Sequence, residues 1–366
     1  MEIPKELRPG DGRFGSGPSK VRSESLAALA ASGARLMGTS HRQPPILNLV
    51  GDIQSKVAEL FSIPAGYEVV LGVGGSTAFW DAAAFSLIRK RSQHLVHGEF
   101  SAKFARAATA PHLDEPHIIE SEWNTRPVPV AQEGVDVYAW AHNETSTGVM
   151  NPVQRIGTEG DLVLVDATSG AGGLRVDIGQ SDVYYFAPQK SFASDGGLWF
   201  AIMSPAAIDR AFEIKANGRY IPAFLDVSIA IENSRKQQTL NTPAVATLFL
   251  MDQQLDWMLS NGGLEWAAAR SEKSAHHIYN WAQEHELMTP FVSNAADRST
   301  VVTTIDVAEV KASDISQALR ENSIVDIDGY RGLGRNQLRI ATFPTIDPED
   351  VAKLTECIDF VVDKFS

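Results

Sequence analysis

Seven short apolar runs, bounded by glycine, proline or charged residues, constrain this chain more than any other feature of its sequence. They are Glu68 to Val73, His94 to His97, His117 to Glu120, Val135 to Ala141, Leu162 to Asp166, Val183 to Ala187 and Leu198 to Ile202. Between them lie stretches with helical spacing. Ser76 to Arg91 puts Phe79, Ala83 and Leu87 on one face and predicts basic residues in the last turn, where they complement the helix dipole. Strands alternating with helices predict an open α/β sheet. From Thr242 the pattern turns mostly helical: Thr242-Pro243 offers a capping hydroxyl and a proline at a first helical position, and Gly262-Gly263 punctuates before a second helix. The remainder reads as strand (Thr300 to Asp306), helix (Ala312 to Asn322), strand (Ile324 to Ile327), strand (Gln337 to Ala341) and a final helix (Pro348 to Phe365). The expected organisation is a large domain over 16–260 and a smaller α+β domain built from 1–15 and 261–366, which 366 residues amply supply.

Composition narrows the function classes. A formal charge of -13 argues against nonspecific binding to nucleic acid or to an anionic membrane, so positive charge for an anionic substrate has to be local. A single cysteine, Cys357, permits no intrachain disulfide and no thiolate metal cluster, which fits a reducing cytoplasm. No apolar signal core opens the chain and no run approaches the roughly 20 apolar residues of a membrane helix, so the expectation is a soluble, unexported protein.

Three local patterns could carry chemistry. Gly72-Val73-Gly74-Gly75-Ser76-Thr77 follows a strand and opens a helix, where free N–H groups and the dipole suit a phosphate. The third glycine of a dinucleotide fingerprint is absent, since Thr77 stands there, and no Gly-Lys dipeptide exists for a P-loop. Second, Asp166 ends one apolar strand and Lys190 follows the next, in Tyr184-Tyr185-Phe186-Ala187-Pro188-Gln189-Lys190-Ser191-Phe192. A carboxylate and an amine at neighbouring strand ends are the pair that pyridoxal phosphate needs: the lysine holds the aldehyde as a Schiff base, and the acid keeps the pyridine nitrogen protonated. Third, His41-Arg42 precedes Pro44-Pro45, an arginine fork in a proline-stiffened loop, with Arg331, Arg335 and Arg339 adding charge late in the chain. Arg335 reads as a solvated surface charge. Taken singly, each pattern is equally a plain glycine turn, a loop lysine, a turn-capping aspartate or a surface ion pair; their joint occurrence is what points to carbon–nitrogen chemistry on an acidic small molecule. His276-His277 and His285-Glu286 lack the spacing of a zinc helix, and no metal site is expected.

At this point the chain resembles the phosphoserine aminotransferases, a family of fold-type I pyridoxal phosphate enzymes, in the form found in actinobacteria. The likeness runs nearly end to end and rests on Phe14-Gly15-Ser16-Gly17-Pro18, Thr39-Ser40-His41-Arg42, Gly74-Gly75-Ser76-Thr77-Ala78-Phe79-Trp80, His142-Asn143-Glu144-Thr145, Val165-Asp166-Ala167-Thr168-Ser169-Gly170, Ala187-Pro188-Gln189-Lys190 and Asn241-Thr242-Pro243. It implies a large, mainly parallel seven-stranded sheet domain with a smaller α+β C-terminal domain. It also implies amino transfer between glutamate and 3-phosphohydroxypyruvate in serine biosynthesis, with a related step toward pyridoxine in some members. Carried over, Lys190 would form the Schiff base and shuttle the proton, and Asp166 would pair with the pyridinium nitrogen. Thr145 would donate to the ring's phenolic oxygen and Phe100, where relatives often carry tryptophan, would stack on the ring. The phosphate would meet Ser76, Thr77 and Gln189, joined by Asn241 and Thr242 from the second subunit of an obligate homodimer. His41 and Arg42 would hold the substrate's distal phosphate or carboxylate, Arg339 its α-carboxylate, and Ser16 and Arg331 would add contacts. Tyr330 stands where better-known relatives have a histidine before that arginine. The rivals are another fold-type I enzyme, such as an alanine–glyoxylate aminotransferase, and a noncatalytic cofactor-binding protein. A cysteine desulfurase is disfavoured, because Cys357 falls in the expected last helix.

Overall fold

The computed structural model describes residues 1–365. Its main sheet is made of β1 (Glu68–Val73), β2 (Ser92–Val96), β3 (His117–Glu120), β4 (Val137–Ala141), β5 (Leu162–Asp166), β6 (Val183–Phe186) and β7 (Leu198–Met203), in the order β1-β7-β6-β5-β4-β2-β3. All seven expected strands pair here. Only β7 runs against its neighbours, β1 and β6; the other pairings are parallel.

Apart from the edge strand β3, whose residues are half-buried or exposed, the strands are apolar on both sides because both faces are covered. Alternate residues go to opposite layers. Tyr138, Trp140, Val163, Val165, Tyr184 and Phe186 pack toward α2 (Pro44–Leu60) and α7 (Val245–Ser260). Val137, Ala139, Leu162, Leu164, Val183 and Tyr185 pack toward α3 (Gly75–Ser86), α4 (Glu99–Ala107), α5 (Pro205–Ala216) and α6 (Val227–Ser234). Near the N-terminus α1 (Ser23–Ser32) leans on α7.

A second core unites α8 (Gly263–Glu284), α9 (Ala312–Arg320) and α10 (Pro348–Phe365) with a three-stranded antiparallel sheet of β8 (Met288–Pro290), β9 (Val302–Val307) and β10 (Gln337–Ala341). Ile3 and Phe14 are buried in it, and Phe14 O accepts Ala341 N at 3.0 Å, which ties the first residues of the chain to this unit.

Four local expectations are corrected. α3 stops at Ser86 rather than Arg91, because Asp136 accepts Arg89 N, Lys90 N and Arg91 N at 2.8–3.0 Å and turns the chain into β2. The cation at the end of that helix comes instead from Arg219, which donates to Phe85 O, Ile88 O and Arg89 O. Thr242 does not cap α7: the helix begins at Val245 behind Ala244, with no side-chain cap. Pro44 and Pro45 do not stiffen a loop but open α2, where their missing N–H groups go unneeded. Ile324 to Ile327 is no strand. Asp326 has φ 67° and interrupts it, leaving isolated bridges from Val325 to Arg13 and from Asp328 to Leu338. Among the described residues no helix is long and apolar enough to cross a membrane.

Candidate active site

A cavity of about 410 Å³ opens at the carboxyl ends of the parallel strands, where open α/β sheets hold their ligands. Asp166 ends β5 opposite Tyr185 of β6, and Lys190 lies four residues beyond the end of β6, so the register of two adjacent strands brings the pair to one rim. Gly74 and Gly75, both at positive φ, form the turn into α3 and aim its N-terminus at the same space, with Ser76 and Thr77 on the wall. A Cβ at Gly74 would stand 2.6 Å from that of Ala78. Phe100 from α4, Thr145, Gln189 and the turn Gly17-Pro18 complete the lining.

The Lys190 amine donates to Ser16 O at 2.5 Å. A Cβ at Gly17, which sits at φ 148°, would collide with that nitrogen at 1.9 Å, so the glycine makes room for the lysine. Enclosure by protein, followed by the charge of Arg339, holds the Lys190 pKa down at about 8 against the pull of Asp166 and Glu144. Asp166 shows the opposite balance. Burial raises its pKa, while hydrogen bonds from Thr168 and Trp80 favour the ionised form. Thr168 N and Oγ1 donate to its Oδ1 at 2.9 and 2.5 Å, and Trp80 Nε1 donates to Oδ2 at 2.8 Å. Arg339, on β10, donates to Thr145 O at 3.2 Å and lies under the Tyr330 ring at 5.2 Å, and burial lowers its pKa. Its Nε has no partner, nor do Ser16 Oγ, Gln189 Oε1 and Asn143 Oδ1, all buried. Polar atoms left this way lose free energy unless something fills the space beside them.

The Aminotransferase class-V family profile matches residues 19–331. The chain belongs to the class-V aminotransferases. Over its whole length this aminotransferase is 59% identical to a putative phosphoserine aminotransferase of Mycobacterium leprae, covering 98% of that protein. It is also 59% identical to a phosphoserine aminotransferase of a Nocardioides species, with 99% of this chain and 98% of the relative aligned. Among solved structures it is similar to a phosphoserine aminotransferase from Cytophaga hutchinsonii, with a TM-score of 0.90 at 23% identity over 96% and 99% of the two chains; that likeness concerns the fold.

An aminotransferase of this class uses pyridoxal phosphate. The residues fit it: a glycine-built anion cup at a helix N-terminus, an amine held below its ordinary pKa, a carboxylate one strand away, and unpartnered buried donors and acceptors between. Not every residue expected at the site gathers there. His41, Arg42, Asn241 and Thr242 line no part of this cavity. Arg42, Asn241 and Thr242 are exposed and His41 is half-buried, with Thr242 Oγ1 meeting His41 Nδ1 at 3.3 Å. Arg331 is exposed on the loop after Tyr330. Conversely, three residues given no role from sequence are built into the site. Trp80 and Thr168 grip Asp166. Glu144, fully buried, accepts from Ser101 N, Ser101 Oγ, Ser146 N and Ser146 Oγ at 2.7–3.1 Å and so pins the start of α4, which bears Phe100. The signals were present: an aspartate with a threonine two residues on, and a tryptophan one helical turn beyond the anion cup.

Proposed function

We propose that this protein transfers an amino group from L-glutamate to 3-phosphohydroxypyruvate, forming 2-oxoglutarate and O-phospho-L-serine, as a phosphoserine aminotransferase of serine biosynthesis. The observation that carries the reading is the cavity lined by Lys190, Asp166 and the α3 anion cup, with Arg339 outside its lining but close enough for its charge to act on Lys190, in a chain 59% identical to proteins of that name. When bound, pyridoxal phosphate supplies an electron sink for the charge left on the substrate's α-carbon. Everything else is the chain's work. Ser76, Thr77 and Gln189 hold the phosphate, Asp166 keeps the ring nitrogen protonated, Thr145 donates to the phenolic oxygen, and Phe100 covers one ring face. Arg339 grips the α-carboxylate by its fork. Lys190, the amine on the cavity wall, would hold and move the substrate's α-proton, and burial lowers its pKa to about 8 in the protein without ligand. Ser16 and Arg331 add contacts from the loops above.

The working unit in this reading is a cytoplasmic homodimer with shared sites. Thr242 touches His41, and both lie apart from their own cavity. The four residues therefore enter the other cavity together: Asn241 and Thr242 join the cofactor phosphate, while His41 and Arg42 bind the substrate's distal phosphate or carboxylate. One cationic site then serves glutamate and phosphoserine alike. Domains at 16–260 and at 1–15 with 261–366 are supported by the break between α7 and α8 and by Ile3 and Phe14 in the second core. A related phosphorylated oxo acid on the way to pyridoxine fits the same groups.

The test is the absorbance of the purified holoprotein before and after L-phosphoserine, beside Lys190→Ala. A yellow band converted to the near-ultraviolet amine form, with no conversion in the variant, is expected. A protein that takes up no pyridoxal phosphate sinks the reading, and one that stays yellow with phosphoserine but bleaches with alanine moves it to another substrate. 4-Phosphohydroxy-L-threonine in the same assay tests the pyridoxine step.

A further inference from the structure

The carboxylate of Asp166 is gripped on both oxygens. Trp80 Nε1 donates to Oδ2 at 2.8 Å, and the Thr168 hydroxyl and N–H donate to Oδ1. That hydroxyl also lies 2.7 Å from Ser76 Oγ. A hydroxyl has one proton, and an ionised carboxylate can only accept. The Thr168 proton therefore points to Asp166, and the bond to Ser76 runs the other way, with Ser76 Oγ–H donating to Thr168 Oγ1. The result is a directed chain from the anion cup to the acid. Accepting from Ser76 polarises the Thr168 hydroxyl and strengthens its own donation. On the other side, Trp80 is buried and stacks on Phe104 at 6.4 Å and 21°, so its N–H is fixed in direction by packing. Nothing about a core tryptophan requires its N–H to end on this carboxylate; burial raises the Asp166 pKa, and the donors from Thr168, Trp80 and Tyr185 work against that rise.

We propose that Trp80 and Thr168 are positioning residues that keep Asp166 an anion aimed at the cavity, and that Ser76 Oγ belongs to this chain, leaving its main-chain N–H for the phosphate. The proposal rests on the reading of Asp166 as partner of the cofactor's ring nitrogen. With the donors present, the proton shared between acid and ring stays on the ring; without them the carboxylate becomes more basic and draws that proton to itself, leaving a neutral pair.

The experiment is heteronuclear NMR of holoprotein reconstituted with ring-nitrogen-labelled pyridoxal phosphate, in wild type and in Trp80→Phe, Thr168→Val, Thr168→Ser, Ser76→Ala and Asp166→Ala, each with its melting temperature. The wild-type resonance is expected at the protonated position. It should move toward the free-base position in Trp80→Phe and Thr168→Val, less far in Ser76→Ala, and return in Thr168→Ser. For the first two, turnover should fall about tenfold, the scale of one hydrogen bond to a charged acceptor, with KM nearly unchanged. Thr168→Val is nearly isosteric, so the proposal stays testable if Trp80→Phe folds poorly. A wild-type resonance in Thr168→Val alongside a shifted one in Asp166→Ala overturns the proposal alone. A wild-type resonance in Asp166→Ala overturns the reading of Asp166 beneath it.

Discussion

The two ends of the main sheet are built from the same residue types to opposite purposes. At the amino ends of the strands, Arg210, only 2% exposed, donates through both terminal nitrogens to Leu87 O, Asp136 Oδ1 and Gly160 O, its Nε alone making no hydrogen bond, while Asp136 also collects three main-chain N–H groups. Nearby, Asp182 accepts from Val163 N and Ser204 Oγ and pairs with Arg155. These charges, of which Arg210 and Asp182 are buried, meet one another and stitch loops to strands. At the carboxyl ends, Lys190 has a single carbonyl partner, Arg339 Nε has none, and Ser16 Oγ, Gln189 Oε1 and Asn143 Oδ1 are left open. A buried polar atom without a partner is destabilising. Several such atoms gathered around one cavity, two of them on its lining residues Gln189 and Asn143, are placed to meet a ligand. Partnering, more than residue type or burial, separates the charges that hold this protein together from those that work.

The largest effect that could break this division is at Lys190. Lys190→Ala should lower amino transfer by about 10^3-fold, within the range of a lost general acid–base group, and leave the melting temperature unchanged or higher, since a desolvated amine has been removed. Turnover and differential scanning calorimetry on one preparation would check both halves; a variant that melts early makes Lys190 a structural residue. The mirror case is Arg210→Met. Its loss takes one partner from Asp136, which keeps its three main-chain donors, and leaves Leu87 O and Gly160 O without theirs, and should lower the unfolding free energy by about 1–3 kcal/mol, while the folded fraction keeps its activity. Urea titration beside active-site counting would expose the contrary result, a stable but inactive protein.

A smaller effect concerns pH. The Lys190 pKa lies at about 8, lowered by burial first and by Arg339 next. Below that value the amine carries a proton and cannot attack an aldehyde, so capture of pyridoxal phosphate by cofactor-free protein should quicken as pH rises and level off above about 8. In Arg339→Gln a positive neighbour no longer opposes protonation, and the midpoint should move upward. Stopped-flow absorbance across the pH range measures it; an unmoved midpoint would assign the whole shift to burial.

Much of this was legible in the sequence, and the reason is physical. Strands buried on both faces leave continuous apolar runs, and six of the seven carry that signal, the half-exposed edge strand β3 being the exception; all seven ranges agree to within two residues at either end. Asp166 and Lys190 were readable as a pair because each ends such a run, and parallel neighbours bring equivalent ends together. What sequence did not reveal depends on contacts between distant segments. α3 ends early because of Asp136, fifty residues downstream of Ser86. Trp80 reads as a core residue until its N–H is seen on Asp166, and Glu144 reads as a loop carboxylate until α4 is seen resting on it. The resemblance already gave Asn241 and Thr242 to the second subunit's site, but not that His41 sits beside Thr242, since spacing along the chain says nothing about which cavity a loop faces.

Arg335 and Arg339 give the smallest and sharpest comparison, because they stand four residues apart near one strand. Composition treats them alike. Arg335 forks onto both oxygens of Asp306 at 3.1 and 2.6 Å, lies over Phe291 and is about half exposed. Arg339 faces Thr304 across β9 and β10, and no carboxylate reaches its guanidinium. Exposed ion pairs are screened and weak, so Arg335→Gln should lower the unfolding free energy by less than about 1 kcal/mol, an effect that fades with added salt, and leave kcat/KM within about twofold. Arg339→Gln should instead raise KM for both amino donors with little change in melting temperature, because the partner it loses is the substrate. Parallel kinetics of the two variants decide the matter. If Arg335→Gln raised KM as Arg339→Gln does, a satisfied ion pair would be binding substrate, and partnering would no longer distinguish the working charges of this protein from its structural ones.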